Sequence, residues 1–251
     1  MSTADVAQST ARAFDWTDTD LYRLFAFLFA PPSPRCFQFL AQRETPDVLR
    51  SLWETLGCEG ACPEFEWFLS HEEYESAYIA LFDVGIPEPP VALFESAHDK
   101  TRPAQEIALE NACFYEVLGL RSDPSQAVPD YLVTQLEFLA ALRYTAQYAA
   151  EGATRSALER AESEFLQRHL LNWVPIADQK LARSAAPGFP QLLSLLVSFL
   201  KTRAQELRPA NPGSMTLAHG TTGLPWGVSR SRIGQQEKSP SPTQSSTLPR
   251  R

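Results

Sequence analysis

Apolar residues recur along this 251-residue chain at helical rather than alternating spacing. Leu21, Leu24, Phe25 and Leu28 fall at i, i+3, i+4 and i+7, one apolar stripe, and predict a helix from Asp18 to Ala30 opened by Thr17-Asp18 and ended by Pro31-Pro32-Ser33-Pro34. A short helix is expected from Arg35 to Gln42. Thr45-Pro46 reads as an N-cap followed by a proline in the first helical position, opening a helix that runs to Leu56 and stops at Gly57. Pro63 opens a longer helix over 63–83, in which Tyr74, Tyr78, Leu81 and Phe82 keep the stripe. Gly85, Pro87, Pro89 and Pro90 forbid its continuation, so 84–102 reads as a stiff, proline-rich loop. Long loops inside compact domains tend to be functional or disordered, and Leu93 and Phe94 beside Glu95 predict an ordered one.

The second half repeats the pattern. Pro103 begins a helix to Leu118, ended by Gly119, and Pro129 begins another to Ala150 with Leu132, Leu136, Leu139 and Arg143 on one face. Helices over 154–173 and 176–183 follow. The last, 189–207, is apolar nearly all round from Leu192 to Leu200, which places it at the centre of a bundle. The expectation is an all-α fold: a single helical-bundle domain of about eight to nine helices over 18–207. A flexible segment over 1–17 precedes it, and a Pro/Ser/Thr-rich disordered tail over 208–251 follows.

Composition agrees with helices: glycine is scarce, at 11 residues, and no series of alternating Val/Ile/Thr runs is joined by tight turns. The net charge of −8 is unevenly placed. Residues 209–251 hold five basic side chains and one acid, so the +4 tail leaves −12 on residues 1–208. An acidic body argues against nucleic acid and favours a basic partner. The N-terminus lacks the basic start and cleavage site of a secretory signal. The apolar runs Leu21–Ala30 and Leu192–Leu200 are too short to span a bilayer. A soluble, cytoplasmic protein with no stable membrane insertion is expected.

Candidate chemistry is sparse. Cys58 and Cys62 lack a second Cys or His pair to complete a structural zinc site, and no metal or other cofactor is expected. Helical di-iron enzymes use paired Glu-x-x-His motifs; Glu95-Ser96-Ala97-His98 supplies one, beside the proline-rich loop, and no second copy follows. His71, His98, His169 and His219 are scattered, and no phosphate loop or nucleophile elbow occurs. These features point to a binding protein rather than an enzyme.

Three stretches carry a resemblance. The first is Tyr78-x-x-Leu81-Phe82-x-x-Gly85 running into Pro87-x-Pro89-Pro90 and Phe94-Glu95-Ser96. The second is Pro129-Asp130-Tyr131-Leu132 followed by Gln135-Leu136-Glu137-Phe138-Leu139. The third is Phe165-x-x-x-His169-Leu170-x-x-Trp173. In order and spacing they resemble the TorD/DmsD/NarJ family of molybdoenzyme maturation chaperones, over roughly residues 18–200. Tyr131 stands where that family often has histidine, and Gln135 replaces the first glutamate of its Glu-Leu-Glu-Phe. The resemblance implies an all-helical chaperone that binds the twin-arginine signal peptide, or another N-terminal segment, of an apo molybdenum oxidoreductase subunit. It further implies help with cofactor insertion and control of export, with molybdenum cofactor biosynthesis proteins as candidate further partners. A helical adaptor unrelated to redox enzymes stays open as an alternative.

A receptor for a basic and apolar peptide needs carboxylates for guanidinium groups and an apolar groove. Glu95, Asp130 and Glu137 are candidates for the first. Tyr78, Leu81, Phe82, Pro90 and Phe94 are candidates for the second, with Tyr131 stacking or donating a hydrogen bond. Each has a plainer reading. Asp130 and Glu95 could cap helices, Glu137 could pair with Arg143 or another cation, and Leu81 and Phe82 could be core. His169 and Trp173 are expected to pack between helices.

Overall fold

A computed structural model describes residues 16–58, 62, 64, 70–85, 88–120, 128–150, 152–184 and 188–208. The chain divides into two units, Met1–Pro209 and Ala210–Arg251, and every described residue lies in the first. The expectations for the N-terminal 15 residues and for the tail beyond Arg208 lie outside the described residues, as does most of 59–69.

The elements are α1 (Asp18–Phe29), α2 (Pro34–Leu40), α3 (Thr45–Thr55), α4 (His71–Tyr78) with a π turn (Ile79–Asp83), the one-turn α5 (Glu95–His98), and α6 (Ala104–Tyr115) with a 3-10 turn (Glu116–Leu118). They continue with α7 (Leu132–Tyr148), α8 (Ala153–Phe165), a second π turn (Leu166–Leu170), α9 (Leu171–Leu181) and α10 (Phe189–Glu206). Among the described residues the only extended pairing is one isolated antiparallel bridge, Phe94 with Tyr131. The fold is all-α, and no helix among the described residues is long and apolar enough to cross a membrane.

The helix ends follow local chemistry. Thr17 and Asp20 form a reciprocal capping box at α1. Ser33 caps α2, whose first residue is Pro34, so the proline that seemed to belong to a terminator opens the next helix. Thr45 lies inside α3 rather than capping it, because its hydroxyl donates to Phe39 O instead. Ser70 caps α4, which begins at His71, and the first part of the helix expected over 63–83 lies mostly outside the described residues.

The core forms around α10. Leu192, Leu193, Leu195, Leu196 and Leu200 are fully buried, as the all-round apolar pattern required. Phe199 meets Tyr22 edge-on at 4.8 Å and stacks with Phe25 at 5.9 Å, joining α10 to α1. The buried Arg203 on α10 holds Glu162 of α8 in two hydrogen bonds of 2.7 and 3.0 Å, and Tyr22 donates to the same carboxylate.

One expected boundary is absent. The helices placed at 154–173 and 176–183 are a single run through the second π turn, with Pro175 inside α9. An internal proline costs about 3 kcal/mol. Burial of Trp173, Val174, Ala177 and Leu181 on one side of this segment offsets that cost and keeps the chain helical.

Candidate peptide-binding site

The proline-rich loop is tied down by backbone bonds at three points. Val91 N–H donates to Leu81 O at 3.0 Å, Leu132 N–H to Leu93 O at 2.9 Å, and Glu95 N–H to Asp130 O at 3.0 Å. Gly85 makes the turn possible, since a Cβ there would overlap the Glu88 carbonyl. The bonds lay Phe94 against Tyr131, with ring centroids 5.1 Å apart, and bring the first two sequence motifs side by side.

Asp130 is buried, at 3% exposure, and its Oδ2 accepts the Ser96 N–H at 3.0 Å. It therefore caps α5 across the bridge and not the helix that follows it. Residues Pro129 to Tyr131 precede α7, which begins at Leu132 with Tyr131 as its N-cap, later than the proline rule suggested.

Glu95, at 1% exposure, is the centre of a buried polar cluster. Its carboxylate accepts from Gln135 Nε2 at 2.7 Å, His169 Nδ1 at 2.9 Å, Asn111 Nδ2 at 3.1 Å and Arg102 Nη2 at 3.3 Å. These donors come from α7, the second π turn, α6 and the loop before α6. A carboxylate offers about four lone-pair positions, so Glu95 is saturated from within the chain. Gln135 also donates to Asn111 Oδ1 at 2.9 Å and accepts from Trp173 Nε1 at 3.2 Å. A glutamate at 135 would set a second carboxylate against Glu95, so glutamine is the residue this geometry needs.

The other expected site residues separate by depth. Tyr78, Leu81 and Phe82 are buried; Phe82 packs edge-on against Tyr78, Phe29 and Phe189. The hydroxyls of Tyr78 and Tyr131 lie 3.1 Å apart, and each donates to Phe29 O, at 3.0 and 3.3 Å. Burial pushes both phenols above their ordinary range, and the Asp83 charge adds to the rise in each. Phe94 and Tyr131 are half-buried, while Pro90 and Glu137 are exposed. Glu137 does not pair with Arg143, which reaches Asp18 at 3.1 Å and Glu159 at 3.8 Å.

The residues of the third motif were expected only to pack. His169 and Trp173 do pack between helices, but each also hydrogen-bonds into the Glu95 cluster. Their spacing of four places them on one helical face, which is the signal that could have linked them to a common partner. Asn111 gave no such signal. Beside the cluster, Glu95, His98, Asp99, Asn172, Trp173 and Ile176 line a hollow of about 250 Å³. The His98 ring stacks on Trp173 at 5.2 Å. Among the described residues no group of three or more His, Cys, Asp or Glu side chains could hold a metal ion.

Among the described residues of the first two motifs, Phe94 and Tyr131 form a half-buried aromatic pair, and Asp83, Val84, Pro90 and Glu137 are exposed. Residues 49–177, about half of the chain, match the family model described as nitrate reductase delta subunit, and the chain belongs to this family. It is 30% identical over 152 residues to the perchlorate reductase assembly chaperone protein of Dechloromonas aromatica (strain RCB), covering 59% of this chain and 68% of that one. It is 33% identical over 145 residues to the selenate reductase assembly chaperone protein of Thauera selenatis, covering 56% and 75%. It is also 33% identical over 115 residues to the chlorate reductase assembly chaperone protein of Ideonella dechloratans, covering 45% and 60%. These relatives are described as assembly chaperones and not as catalysts.

Proposed function

We propose that this protein is a non-catalytic cytoplasmic chaperone for a molybdenum-containing reductase. In this reading it binds the N-terminal segment of the apo catalytic subunit, a twin-arginine signal peptide or a segment of like chemistry. It holds that subunit during folding and molybdenum cofactor insertion and delays its export until both are complete. The observation that carries the reading is the Phe94–Tyr131 bridge, which joins two distant motifs into one half-exposed surface. The family membership and the assembly-chaperone relatives support the same class.

Within the site the residues take different parts. Phe94, Tyr131 and Pro90 form the apolar contact, and Glu137 contributes negative charge at its edge. Tyr78, Leu81 and Phe82 support the surface from beneath. Glu95 and Asp130 act as positioning residues, since both carboxylates are buried and hold the loop to the helices.

Affinity capture from the native host, followed by mass spectrometry of the bound chains, tests the proposal. The expected result is recovery of a molybdoenzyme catalytic subunit by the wild-type protein and its loss with Phe94→Ala and Tyr131→Ala. Recovery of other proteins with no such subunit would overturn it.

A further inference from the structure

We infer that Asp83 is the specificity-determining anion of this surface, meeting an arginine guanidinium of the client segment over the Tyr131 ring. The inference rests on the peptide-binding reading above and assigns it a residue outside the sequence-expected set.

Asp83 closes the first π turn. In that turn Val84 N–H reaches back five residues to Ile79 O at 2.9 Å, so Asp83 lies one π turn beyond Tyr78. The wider turn lets the consecutive Leu81 and Phe82 both face the core and leaves Asp83 and Val84 exposed. Tyr78 in turn touches Tyr131 through its hydroxyl. Asp83 is thereby set next to the Tyr78–Tyr131 pair, and its charge bears on both phenols. Glu137, on α7, bears on Tyr131 from the opposite motif. It stands six residues past Tyr131, about 9 Å along the helix at 1.5 Å per residue.

Among the described residues no ion pair involves Asp83 or Glu137. Arg102, the cation of the Glu95 cluster, is held by Glu95, Asp99 and Glu110. Burial alone raises the Asp83 carboxyl, with no cation to offset it. A half-buried aromatic ring with two exposed carboxylates bearing on it is complementary to a planar cation, which stacks on a ring and offers parallel donors to a carboxylate. Val84, 62% exposed, and Pro90 extend the apolar side for residues that follow the cation. Glu95 and Asp130, although closer to the motif cores, are buried at 1% and 3% exposure.

Calorimetry with synthetic peptides tests the assignment. One peptide carries two adjacent arginines before an apolar run of leucine and alanine; a second has citrulline, the neutral isostere, in place of both arginines. Wild-type protein should bind the arginine peptide at least tenfold more tightly than the citrulline peptide. Asp83→Asn, which keeps shape at an exposed position, should lose about tenfold for the arginine peptide and nothing for the citrulline peptide. Asp47→Asn, at an exposed carboxylate on α3 outside the site, should leave both affinities unchanged. If Asp83→Asn retains the full arginine preference, the inference is overturned while peptide binding stands. If wild-type protein binds neither peptide, the peptide-binding reading falls, and this inference with it.

Discussion

Replacing Glu95 by glutamine would keep the size of the side chain but turn one of its two acceptor oxygens into a donor. Four donors converge there, so at least one buried N–H would lose its partner, at a cost of about 1–3 kcal/mol. Urea unfolding of Glu95→Gln should show a midpoint lowered by that amount with an unchanged slope. An unchanged midpoint would mean that the carboxylate does not serve these donors. His98 offers a test by pH. Its Nε2 donates to Ala92 O at 2.8 Å, Lys180 Nζ donates to its Nδ1 at 3.2 Å, and burial pushes its pKa below the ordinary 6.5. The unfolded chain then takes up the proton before the folded one does. This contribution to stability is full above about pH 6.5 and is lost as the pH falls toward the lower folded value. Asp99 acts in a separate window. Hydrogen bonds from Thr101 and Arg102 hold it down at about 2, so its contribution is present above 3.8 and disappears only as the pH falls through about 2. Thermal midpoints of wild type should therefore drop between about pH 7 and 5, and His98→Gln should flatten that slope. Equal slopes in the two proteins would exclude His98 as its source.

At the scale of elements, α1 was legible because cap, stripe and terminator agree, and α10 because its apolar residues run nearly all round from Leu192 to Leu200. Phe199→Ala should cost about 3–5 kcal/mol in denaturant unfolding, since its ring fills the contact between them. The same variant should leave peptide affinity unchanged, because the Phe199 ring meets Tyr22 and Phe25 and not Phe94 or Tyr131. The two π turns were not legible. An extra residue in one turn leaves the apolar spacing on either side intact, so the periodicity at Tyr78–Phe82 and Phe165–Trp173 reads as ordinary helix. The start of α7 was misplaced for a related reason. Pro129 is compatible with a helix, but Asp130 and Leu132 are drawn into bonds with residues 93–96, and no local rule reports a partner almost forty residues away. The motifs located the site, while the buried role of Glu95 and the exposed place of Asp83 depend on where their neighbours fold. Gly85→Ala would press a methyl group against the Glu88 carbonyl and displace the loop. Its thermal midpoint and its peptide affinity should fall together; a loss of neither would show that the turn has room.

Across the whole molecule, the net charge of −8 raises the local concentration of a basic segment before any contact is made. Association with the arginine peptide, followed by stopped flow, should slow as salt rises, with a smaller change in dissociation. A rate independent of salt would remove long-range attraction from the account. The contacts that follow meet a loop that is a loop only in outline. Its amides at Val91, Glu95 and Ser96, and that of Leu132 opposite, are bonded to distant segments, and the Glu95 cluster joins α6, α7 and α9 behind them. Solvent can reach these hydrogens only when the helices themselves part. In deuterated water they should exchange as slowly as the interior of α7, which would make this proline-rich segment one of the last parts of the protein to take up label.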